Sequence, residues 1–356
     1  MASDNTTRPR ILTGDTPTGK LHLGHWVGSV KRRIELQDSH NCFFILANMH
    51  AFTTRAEKPD DIRSDTLEIV RDHLAMGIDP ERSSIFLQSE VPAIAELTFL
   101  FSMLLPFNRV MRNPTLKDEI KVKGLGDDYP FGFPLYAVGQ TADILAFRPV
   151  GVPVGEDQVA HLELTREVAR RFNQFYCDVA GTVEDDDHVE AGGVFPVPNA
   201  DVGVVGRLVG IDGEHKMSKS LNNAIYISDT AKQVQKKVNK IYTGRQSASE
   251  PGDPNNVLMQ YCDIFIPDTD RVAEIKDQYS KGADIGDGHI KQELGAAINE
   301  LLEPMRERRA TFEGNDDYII DVLKSGTSRA NVVAEETLSM AKEAARLGFF
   351  SRELTL

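Results

Sequence analysis

The sequence predicts an α/β chain in which a doubly wound parallel sheet is followed by an α-helical region. Short apolar runs of strand length alternate with segments of helical periodicity between residues 11 and 172, and helical patterns dominate the chain beyond residue 226. Strands that alternate with helices form a parallel sheet that is covered on both faces. Ligands of such sheets bind at the carboxyl ends of the strands, so we looked for polar motifs there.

The composition is that of an ordinary globular protein with more than one domain. The chain has 356 residues, of which 41% are hydrophobic and 26% are charged. It has no apolar run long enough to cross a membrane, and its polar start, MASDNTTRPR, lacks a signal-peptide core. We therefore expect a cytoplasmic protein without a membrane partner. The net charge of −14 means that a nucleic-acid partner would need a local basic surface.

Neither the cysteines nor the acidic clusters predict a metal site. Cys42, Cys177 and Cys262 are far apart and lack the spacing of metal ligands or of a disulfide framework. The acidic run at 184–187 lacks the glycine turn and the further spaced ligands of a calcium loop, so we predict a solvated loop there. We expect reduced thiols and no metal held by the protein alone.

The stretch Ile11–Val30 combines the first predicted strand, a turn-rich loop and the start of a helix. The tetrad HLGH at residues 22–25 lies at this junction, where free backbone N–H groups and the positive helix end favour phosphate. His22 and His25 can donate hydrogen bonds to a phosphorus-centred transition state, and Gly24 lets a nucleotide approach the backbone. Two histidines that merely cap a surface helix would give the same tetrad, so this motif alone leaves both interpretations open.

The next residues continue the alternation of strands and helices. Strands are predicted at Cys42–Ala47 and Ser84–Gln88, and helices at Asp60–Met76 and around Ile94–Leu105. The segment Asn108–Phe133 is polar, rich in glycine and poorly periodic, so we predict a mobile loop region.

A polar stripe lies on the predicted helix that follows. Tyr136, Gln140 and Asp143 are spaced i, i+4 and i+7 and share one face of an otherwise apolar helix. A solvated face usually carries lysine and glutamate, so we interpret this stripe as a pocket wall, with a solvated face as the alternative. His50 follows the second strand at the same sheet edge and could line that pocket or be a buried structural histidine.

A further strand end presents the residues GEDQ at 155–158 to a helix predicted at Val159–Phe172. Carboxylates in a first helical turn suit the helix dipole, which accounts for Glu156 and Asp157 without any ligand. Asp157 also suits a nucleotide ribose, whose hydroxyl groups need an acceptor. Both interpretations remain open.

The motif KMSKS at residues 216–220 is the second candidate for phosphate binding. Its two lysines lie three residues apart among small hydroxyl residues and form a flexible cationic clamp suited to a triphosphate. A five-residue match arises by chance far less often than HLGH. Together the two motifs resemble the two signatures of the class I aminoacyl-tRNA synthetases.

Within that class, the chain resembles the tryptophanyl-tRNA synthetase family, in a divergent bacterial form. The similar segments are GDTPTGKLHLGH, TADIL at 141–145, GEDQ at 155–158 and HLELTREVARRFN at 161–173. The resemblance implies a Rossmann-like catalytic domain at 8–225 and an α-helical anticodon-binding domain at 226–356. It implies activation of L-tryptophan by ATP, with Mg²⁺ carried by ATP, transfer of the tryptophanyl group to tRNA(Trp), and a homodimer.

The resemblance also assigns residues to sites. It implies an ATP site that contains Thr16, Pro17, Thr18, Gly24, His25, Gly155, Glu156, Asp157, Leu208, Lys216, Met217, Ser218, Lys219 and Ser220. Asp143 would accept the indole N–H, and the amino acid would be surrounded by Tyr136, Gln140, Gln158 and His50. The expected catalytic residues are His22, His25, Lys216 and Lys219. Two residues depart from many bacterial members, which have Asn in place of His25 and Met in place of Gln140.

A basic segment leads into the predicted helical region. Residues 216–245 contain seven basic residues and one acidic residue, and helical patterns follow at Val257–Phe265, Asp270–Tyr279, Ile290–Phe312 and Ala330–Leu347. A solvated helix face would explain the basic residues equally well. By the resemblance this region would hold the anticodon, with Arg306, Arg308 and Arg309 as candidate contacts.

Three other functions remain open at this point. A tyrosyl-tRNA synthetase shares both signatures, although GEDQ followed by HLELTR disfavours it. A paralogue that binds tryptophan or an adenylate for a partner protein would charge tRNA poorly. A plain adenylyltransferase with an HxGH site would not need the helical domain.

Overall fold

The computed structural model describes residues 8–350 and 352, except residues 58, 123, 127, 155–158, 203–207, 246, 248 and 283–284. Within these residues the chain forms a five-stranded parallel sheet with strand order β3-β2-β1-β4-β5. The strands are β1 (Arg10–Asp15), β2 (Asn41–Leu46), β3 (Ser83–Leu87), β4 (Gly151–Val154) and β5 (Asn199–Val202). The predicted doubly wound parallel sheet is therefore confirmed.

The order of the strands determines where a ligand can bind. β1 pairs with β2 on one side, from Arg10 opposite Asn41 to Asp15 opposite Leu46, and with β4 on the other. The chain adds β2 and β3 on one side of β1 and then crosses to add β4 and β5 on the other, which opens a crevice at the carboxyl ends of β1 and β4. The HLGH loop follows β1, so the fold brings this motif to the crevice.

The helices of the described residues surround this sheet. In the first half they are α1 (Leu23–His25), which continues through a π-helical turn (Trp26–Val30) into α2 (Lys31–Leu36), then α3 (Phe52–Arg55), α4 (Asp60–Met76), α5 (Pro92–Ser102), α6 (Phe107–Val110), α7 (Pro114–Val122), α8 (Gly132–Leu145) and α9 (Val159–Tyr176). The second half contains α10 (Ala231–Val238), α11 (Val257–Phe265), α12 (Thr269–Lys281), α13 (Asp287–Phe312) and α14 (Asp316–Ala344). Short 3-10 helices occur at Gln88–Glu90 and Asp185–Asp187. None of the described helices combines the length and the apolar character that a membrane span requires.

Alternate residues of each strand pack into separate cores on the two faces of the sheet. Ile11, Phe44 and Ile85 join the core that continues into α11 to α13. Their neighbours in the strands, such as Leu12 and Phe43, join the core built with α5, α8 and α9. Both faces are thus buried, as a parallel sheet requires.

The predicted loop region Asn108–Phe133 is wrong in part, because it contains helix α7. The Asn113 side chain accepts hydrogen bonds from the backbone N–H groups of Thr115 (3.0 Å) and Leu116 (3.4 Å), and its amide donates to Ala160 O (3.3 Å). Leu116 is fully buried. A helix of nine residues with one buried anchor shows too little apolar periodicity to stand out in a polar sequence.

The acidic run at 184–187 is solvent-exposed as predicted at Glu184, Asp186 and Asp187, and it differs from the prediction at Asp185. Asp185 begins a short 3-10 helix and forms ion pairs with Arg166 (2.6 Å) and Arg170 (2.7 Å) of α9. These bonds hold the pKa of Asp185 below its usual range, chiefly through the hydrogen bond from Arg170. The run therefore fastens a connection to α9.

The last helix returns to the first half of the chain and packs along β3, the edge strand. Thr327 Oγ1 accepts a hydrogen bond from Leu87 N (3.3 Å), and Arg329 donates to Ser83 O (3.0 Å). A Cβ atom on Gly326 would lie 2.0 Å from Ile85 O, so only glycine allows this approach. α14 thus covers backbone groups that an edge strand would otherwise expose.

Helix α13 is joined to α4 by a buried charge cluster. Arg309 donates to Asp72 Oδ1 (2.8 Å) and to Glu68 Oε2 (2.6 Å). The same Asp72 accepts a hydrogen bond from Leu21 N (2.7 Å), just before HLGH. The expectation that Arg309 contacts an anticodon is therefore wrong, because its guanidinium group is buried and engaged within the protein.

Candidate active site

Backbone pairing holds the two signature segments together. Leu23 N donates to Ile225 O (2.9 Å), and Ile227 N donates to Leu21 O (3.0 Å). His22 forms an antiparallel bridge with Tyr226 between these two bonds. Because residues 225–227 follow KMSKS almost directly, the helix start that carries HLGH and the lysine loop share one small antiparallel unit.

The KMSKS loop is supported by the predicted site residue Leu208 and by Asn223 and Asp212, which no sequence motif indicated. Met217 is buried and donates its N–H to Leu208 O (3.0 Å). Ser218 N donates to Asn223 Oδ1 (2.7 Å), and Asn223 Nδ2 donates to Asp212 Oδ2 (2.8 Å). A side-chain amide that accepts from one end of the loop and donates to a carboxylate fixes the loop as a turn.

Lys219 reaches across to the loop that follows β1. Its Nζ atom donates to Thr18 Oγ1 (3.2 Å). Partial burial lowers the pKa of Lys219 to about 8, even though the carboxylates of Asp65, Asp72 and Asp15 favour its charged form. This ammonium group is only partly solvated. An anion that binds beside it would favour the charged form and raise its pKa.

The two histidines of HLGH are neutral, and their rings are in contact at a tilt of 46°. Their ring centroids are 3.9 Å apart, and His22 N donates to His25 Nδ1 (3.1 Å). His25 Nδ1 is therefore an acceptor, which places the ring proton on Nε2, where it can be donated to a ligand. Burial, assisted by neighbouring positive charges, lowers the pKa of His22 to about 2, and burial lowers that of His25 to about 4.

Asp15, the last residue of β1, holds the helix after HLGH through a cluster of charged side chains. It accepts a hydrogen bond from Arg33 Nη1 (2.6 Å) and lies 2.9 Å from His73 Nε2. Arg33 also donates to Ser29 Oγ (2.8 Å) inside the π-helical turn. Burial alone would raise the pKa of Asp15, but Arg33 and His73 hold it well below its usual range. The cluster locks the helix after HLGH onto the end of β1.

A second group of predicted residues meets at the carboxyl ends of β2 and β3. Asp143 is buried on α8, and its Oδ2 atom lies 3.5 Å from His50 Nδ1. The rings of His50 and Tyr136 are edge to face with centroids 6.0 Å apart, and the Tyr136 hydroxyl lies 3.3 Å from His161 Nε2. The polar stripe on α8 is therefore turned inward, as the pocket interpretation predicted.

Gln88, immediately after β3, completes this group. Its Nε2 atom donates to Asp143 Oδ1 (2.8 Å) and Oδ2 (3.0 Å). Burial raises the pKa of Asp143 to about 7, and the hydrogen bonds from Gln88 oppose that rise. Burial also lowers the pKa of His50 to about 4, so the imidazole is neutral beside this carboxyl group.

The structure brings most of the predicted site residues into these two groups. Gly24 lies beside Met217, because a Cβ atom on this glycine would be 3.6 Å from Met217 Cβ. Ser218 and Ser220 are joined through their hydroxyl groups (2.9 Å), and Pro17 O accepts a hydrogen bond from Arg55 (2.7 Å). Other predicted residues are solvent-exposed (Thr16, Lys216) or partly buried on the inward face of α8 (Gln140). Gly155, Glu156, Asp157 and Gln158 lie outside the described residues.

Two of the missed residues had a detectable signal. Asp15 and Gln88 are polar residues at or just after the end of a buried strand, which is the position that identified His50. Asn223 and Asp72 had no such signal, because their roles depend on backbone groups that are distant in sequence. Such partners become visible only in three dimensions.

The parallel sheet, the HLGH helix start and the lysine loop paired with it together define a class I aminoacyl-tRNA synthetase. In agreement, the family model of tRNA synthetases class I (W and Y) matches residues 4–303.

Individual relatives narrow this class. The chain is 42% identical over 351 residues to the tryptophan–tRNA ligase of Lactococcus lactis subsp. lactis, covering 97% of this chain and 99% of the relative. It is 44% identical over 354 residues to that of Treponema pallidum, covering 97% and 98%. The tryptophanyl-tRNA synthetase of Campylobacter jejuni, solved in complex with ADP and tryptophan, is similar with a TM-score of 0.79 and 30% identity over 95% of this chain and 100% of that chain. The chain belongs to the tryptophanyl-tRNA synthetase family.

Proposed function

We propose that this protein activates L-tryptophan with ATP and transfers the tryptophanyl group to tRNA(Trp). The observation that carries the proposal is the pairing of residues 21–23 with 225–227, which places the HLGH donors beside the KMSKS lysines. The pocket at Asp143 supports the choice of amino acid. Tryptophan–tRNA ligases from several bacteria that are 41 to 44% identical to this chain support the same reaction.

The triphosphate of ATP would lie between the helix start at Gly24 and the loop that carries Lys216 and Lys219. His25 offers a neutral Nε2–H donor, and Lys219 offers a cation that can leave Thr18 for a phosphate oxygen. Mg²⁺ would arrive with ATP as part of the substrate and share the neutralisation of the phosphates. The loop residues Thr16, Pro17 and Thr18, together with Leu208, Met217, Ser218, Ser220 and residues 155–157, would complete the ATP site.

Activation requires positioning and charge stabilisation without a nucleophile from the enzyme. A carboxylate oxygen of tryptophan attacks the α-phosphorus in line, the bond from that phosphorus to the bridging oxygen breaks, and pyrophosphate leaves with the electron pair. His22, His25 and the two lysines stabilise negative charge that develops on the α-phosphate and on the departing group. The ribose hydroxyl at the end of tRNA then takes the acyl group, and AMP leaves.

Asp143 explains how the enzyme would select tryptophan. Its buried carboxylate would accept the indole N–H, and the amino acid would be surrounded by His50, Tyr136, Gln140 and Gln158. Phenylalanine would leave that carboxylate unpaired, a kind of mismatch that reaches roughly 10⁴ to 10⁵ in discrimination. A buried carboxylate without a hydrogen-bond donor costs more binding free energy than a few lost apolar contacts.

The helical region at 226–356 would bind the tRNA anticodon, and residues 8–225 would form the catalytic domain. On α10 and just after it, Lys232, Lys236 and Lys240 are exposed in a protein with a net charge of −14. Such a local basic surface is what an acidic protein needs to hold RNA. The reaction requires cellular tRNA and ATP, so we place the protein in the cytoplasm.

We also propose that the protein is a homodimer. Helices α5 and α6 both pack on α8. Large apolar side chains are exposed on or beside these helices, at Phe99 on α5 (69%), Met103 just after α5 (64%), Phe107 on α6 (61%) and Phe131 just before α8 (72%). Large exposed apolar residues grouped on neighbouring helices are typical of protein interfaces. A molar mass of two chains in light scattering would support this assembly, and a monomer at micromolar concentration would contradict it.

The decisive experiment is amino-acid-dependent ATP–pyrophosphate exchange with all twenty amino acids. We expect tryptophan to drive exchange and tyrosine to be far weaker, because the phenol O–H of tyrosine lies at a different position from the indole N–H that Asp143 would accept. Exchange with tyrosine that equals or exceeds exchange with tryptophan would contradict the assignment. Aminoacylation of tRNA(Trp) then separates a synthetase from a tryptophan-binding paralogue, which would activate the amino acid yet fail to charge the tRNA.

A further inference from the structure

Gln88 lies between the end of β2, the end of β3 and helix α8, and it is buried. Its side chain contacts the pocket residues His50 and Asp143 and the backbone that precedes His50. Since Gln88 is outside both signature motifs, the proposed chemistry gives it no task. Its carboxamide nevertheless forms five hydrogen bonds, with the backbone N–H groups of Met49 and His50, with the His50 ring and with both carboxylate oxygens of Asp143.

We propose that Gln88 is a positioning residue that keeps Asp143 an ionised acceptor for the indole N–H and fixes the neutral tautomer of His50 beside it. This inference rests on the proposed function, because it concerns the pocket for tryptophan. It assigns a specificity-determining role to a residue that acts through two others.

The orientation of the Gln88 carboxamide is determined by its neighbours. Its Oε1 atom accepts two backbone hydrogen bonds, from Met49 N (3.1 Å) and His50 N (3.2 Å). Backbone N–H groups can only donate, so Oε1 must face them and Nε2 must face the pocket. A reversed amide would place two donors against two donors. Gln88 can therefore offer Asp143 only N–H groups, which favour the ionised carboxylate.

The same orientation sets the tautomer of His50. Gln88 Nε2 lies 3.2 Å from His50 Nε2, so the histidine nitrogen must be the acceptor. The ring proton then lies on Nδ1, which is 3.5 Å from Asp143 Oδ2. Both neighbours consequently present N–H groups to the carboxylate.

The surroundings of Asp143 contain little else that could hold its charge. Among the residues that the structure describes, His50 is the one basic side chain within ion-pair distance. On α8 itself, the Tyr136 hydroxyl is directed to His161 of α9, and burial raises the pKa of that phenol. Burial holds the pKa of Asp143 at about 7 while the Gln88 hydrogen bonds lower it. Removing Gln88 should therefore raise that pKa further and leave the carboxyl group protonated at neutral pH.

The test compares tryptophan with β-(3-benzothienyl)alanine, which has sulfur where tryptophan has N–H. Both ligands carry the same ammonium and carboxylate groups, so the effect of their titration cancels in the ratio of the two affinities. In the wild type, the ratio should favour tryptophan increasingly as pH rises through about 7. In Gln88→Met, we expect the midpoint to rise by one pH unit or more, so that the ratio falls roughly fivefold or more at pH 7 and recovers as pH rises above the new midpoint.

Ser89→Ala is the matched control, because Ser89 is exposed and its hydroxyl group bonds to Asn48 and Glu90 and not to Asp143. It should leave the ratio and its midpoint unchanged. A purely structural Gln88 would weaken both ligands equally at every pH, with an unchanged midpoint, and that outcome would overturn the inference. If the wild type did not activate tryptophan in pyrophosphate exchange, the proposed function itself would fail.

A second measurement needs no variant at Gln88 and is independent of its folding. Nitrogen NMR of the wild type, with the His50 signal assigned through His50→Asn, reports which ring nitrogen carries the proton. The inference requires the proton on Nδ1. A proton on Nε2 would reverse the Gln88 amide and overturn the proposal.

Discussion

At the scale of single residues, the proposed phosphate site combines neutral donors with a lysine whose ammonium group is partly desolvated. His25 can donate through Nε2 without carrying a charge, because its Nδ1 atom is occupied by the His22 backbone. Lys219 is the second partner, since its ammonium group is partly desolvated and, among the described residues, donates to the Thr18 hydroxyl group in the loop after β1. In a site of this kind, the lysine can form its ion pair with the phosphates of the substrate and is not held by a carboxylate of the protein.

Lys219 should control both the rate of activation and its dependence on pH. Its pKa of about 8 predicts that the charged form is lost as pH rises through 8, so kcat/KM for ATP should fall on that alkaline limb. Lys219→Arg should move the limb to higher pH. Lys219→Ala should lower the activation rate by a factor on the order of 10² or more. Tryptophan binding measured in the absence of ATP should stay nearly unchanged. Weak tryptophan binding together with normal activation would place Lys219 in another site.

Asp143 should be a functional residue that lowers the stability of the protein. Asp143→Asn should weaken tryptophan binding by about 1.5 to 3 kcal/mol and largely spare ATP. Because burial raises the pKa of Asp143 from 3.8 to about 7, ionising it in the folded state costs stability as pH rises through that window. The melting temperature of the variant relative to wild type should therefore be higher at pH 8 than at pH 4. A constant difference would show that Asp143 is not a buried ionised group.

The residues that carry signatures could be predicted from the sequence, whereas their supports could not. His22, His25 and Lys219 stand in short motifs whose chemistry is evident from residue type and spacing. Asp143 and Tyr136 were found because helical spacing places them on one face. Gln88 was included in a predicted strand, but its importance depends on two backbone N–H groups from another segment. No periodicity reports contacts of that kind.

At the scale of elements, the long strands and helices follow from their apolar periodicity, and the short ones depend on capping. α4 has the predicted bounds Asp60–Met76, and β2 agrees with its prediction to within one residue at each end. α7 was missed because it is stabilised by Asn113 and one buried leucine, and these contacts give a polar segment no apolar periodicity. α14 begins 14 residues before its predicted start, since its first half is amphipathic against α4 and β3 and not uniformly apolar.

The contact between α14 and β3 should depend on the absence of a side chain at Gly326. Gly326→Ala places a Cβ atom 2.0 Å from Ile85 O, so helix and strand must separate. We expect a loss of at least about 2 kcal/mol in the free energy of unfolding. Gly288→Ala on α13 is the control, because nothing lies within 4 Å of its Cβ position, and it should be neutral or slightly stabilising. Equal melting temperatures for the two variants would contradict this packing.

At the scale of the whole molecule, the first signature is connected to the C-terminal helices through one carboxylate. Asp72 accepts from Leu21 N on one oxygen and from Arg309 on the other. A shift of α13 relative to α4 would therefore change the position of Leu21, the residue that precedes HLGH. The parallel sheet and the helical C-terminal region were predictable from the sequence, but this connection was not, because it joins residues 237 positions apart.

Arg309→Met should destabilise the whole protein and also slow activation. It leaves Asp72 and Glu68 without their cation, and breaking a buried pair in this way costs about 3 to 5 kcal/mol. Lys281→Met removes an exposed ion pair with Asp277 (2.6 Å) and should cost less than about 1 kcal/mol. Denaturant unfolding and pyrophosphate exchange of both variants test this. A silent Arg309→Met would mean that the cluster is not buried in solution.

The return of α14 to β3 also has a consequence for how the chain is made. Leu87 and its partner Thr327 are 240 residues apart, so the edge of β3 stays uncovered while the intervening chain is translated. At roughly 5 to 20 residues per second, that interval lasts on the order of 10 to 50 seconds. During this time a nascent chain presents a bare strand edge to its neighbours on the same messenger RNA. Ribosome-bound chaperones should therefore meet this protein late in its synthesis, and premature stop codons within α14 should yield insoluble products even though both signature motifs are intact.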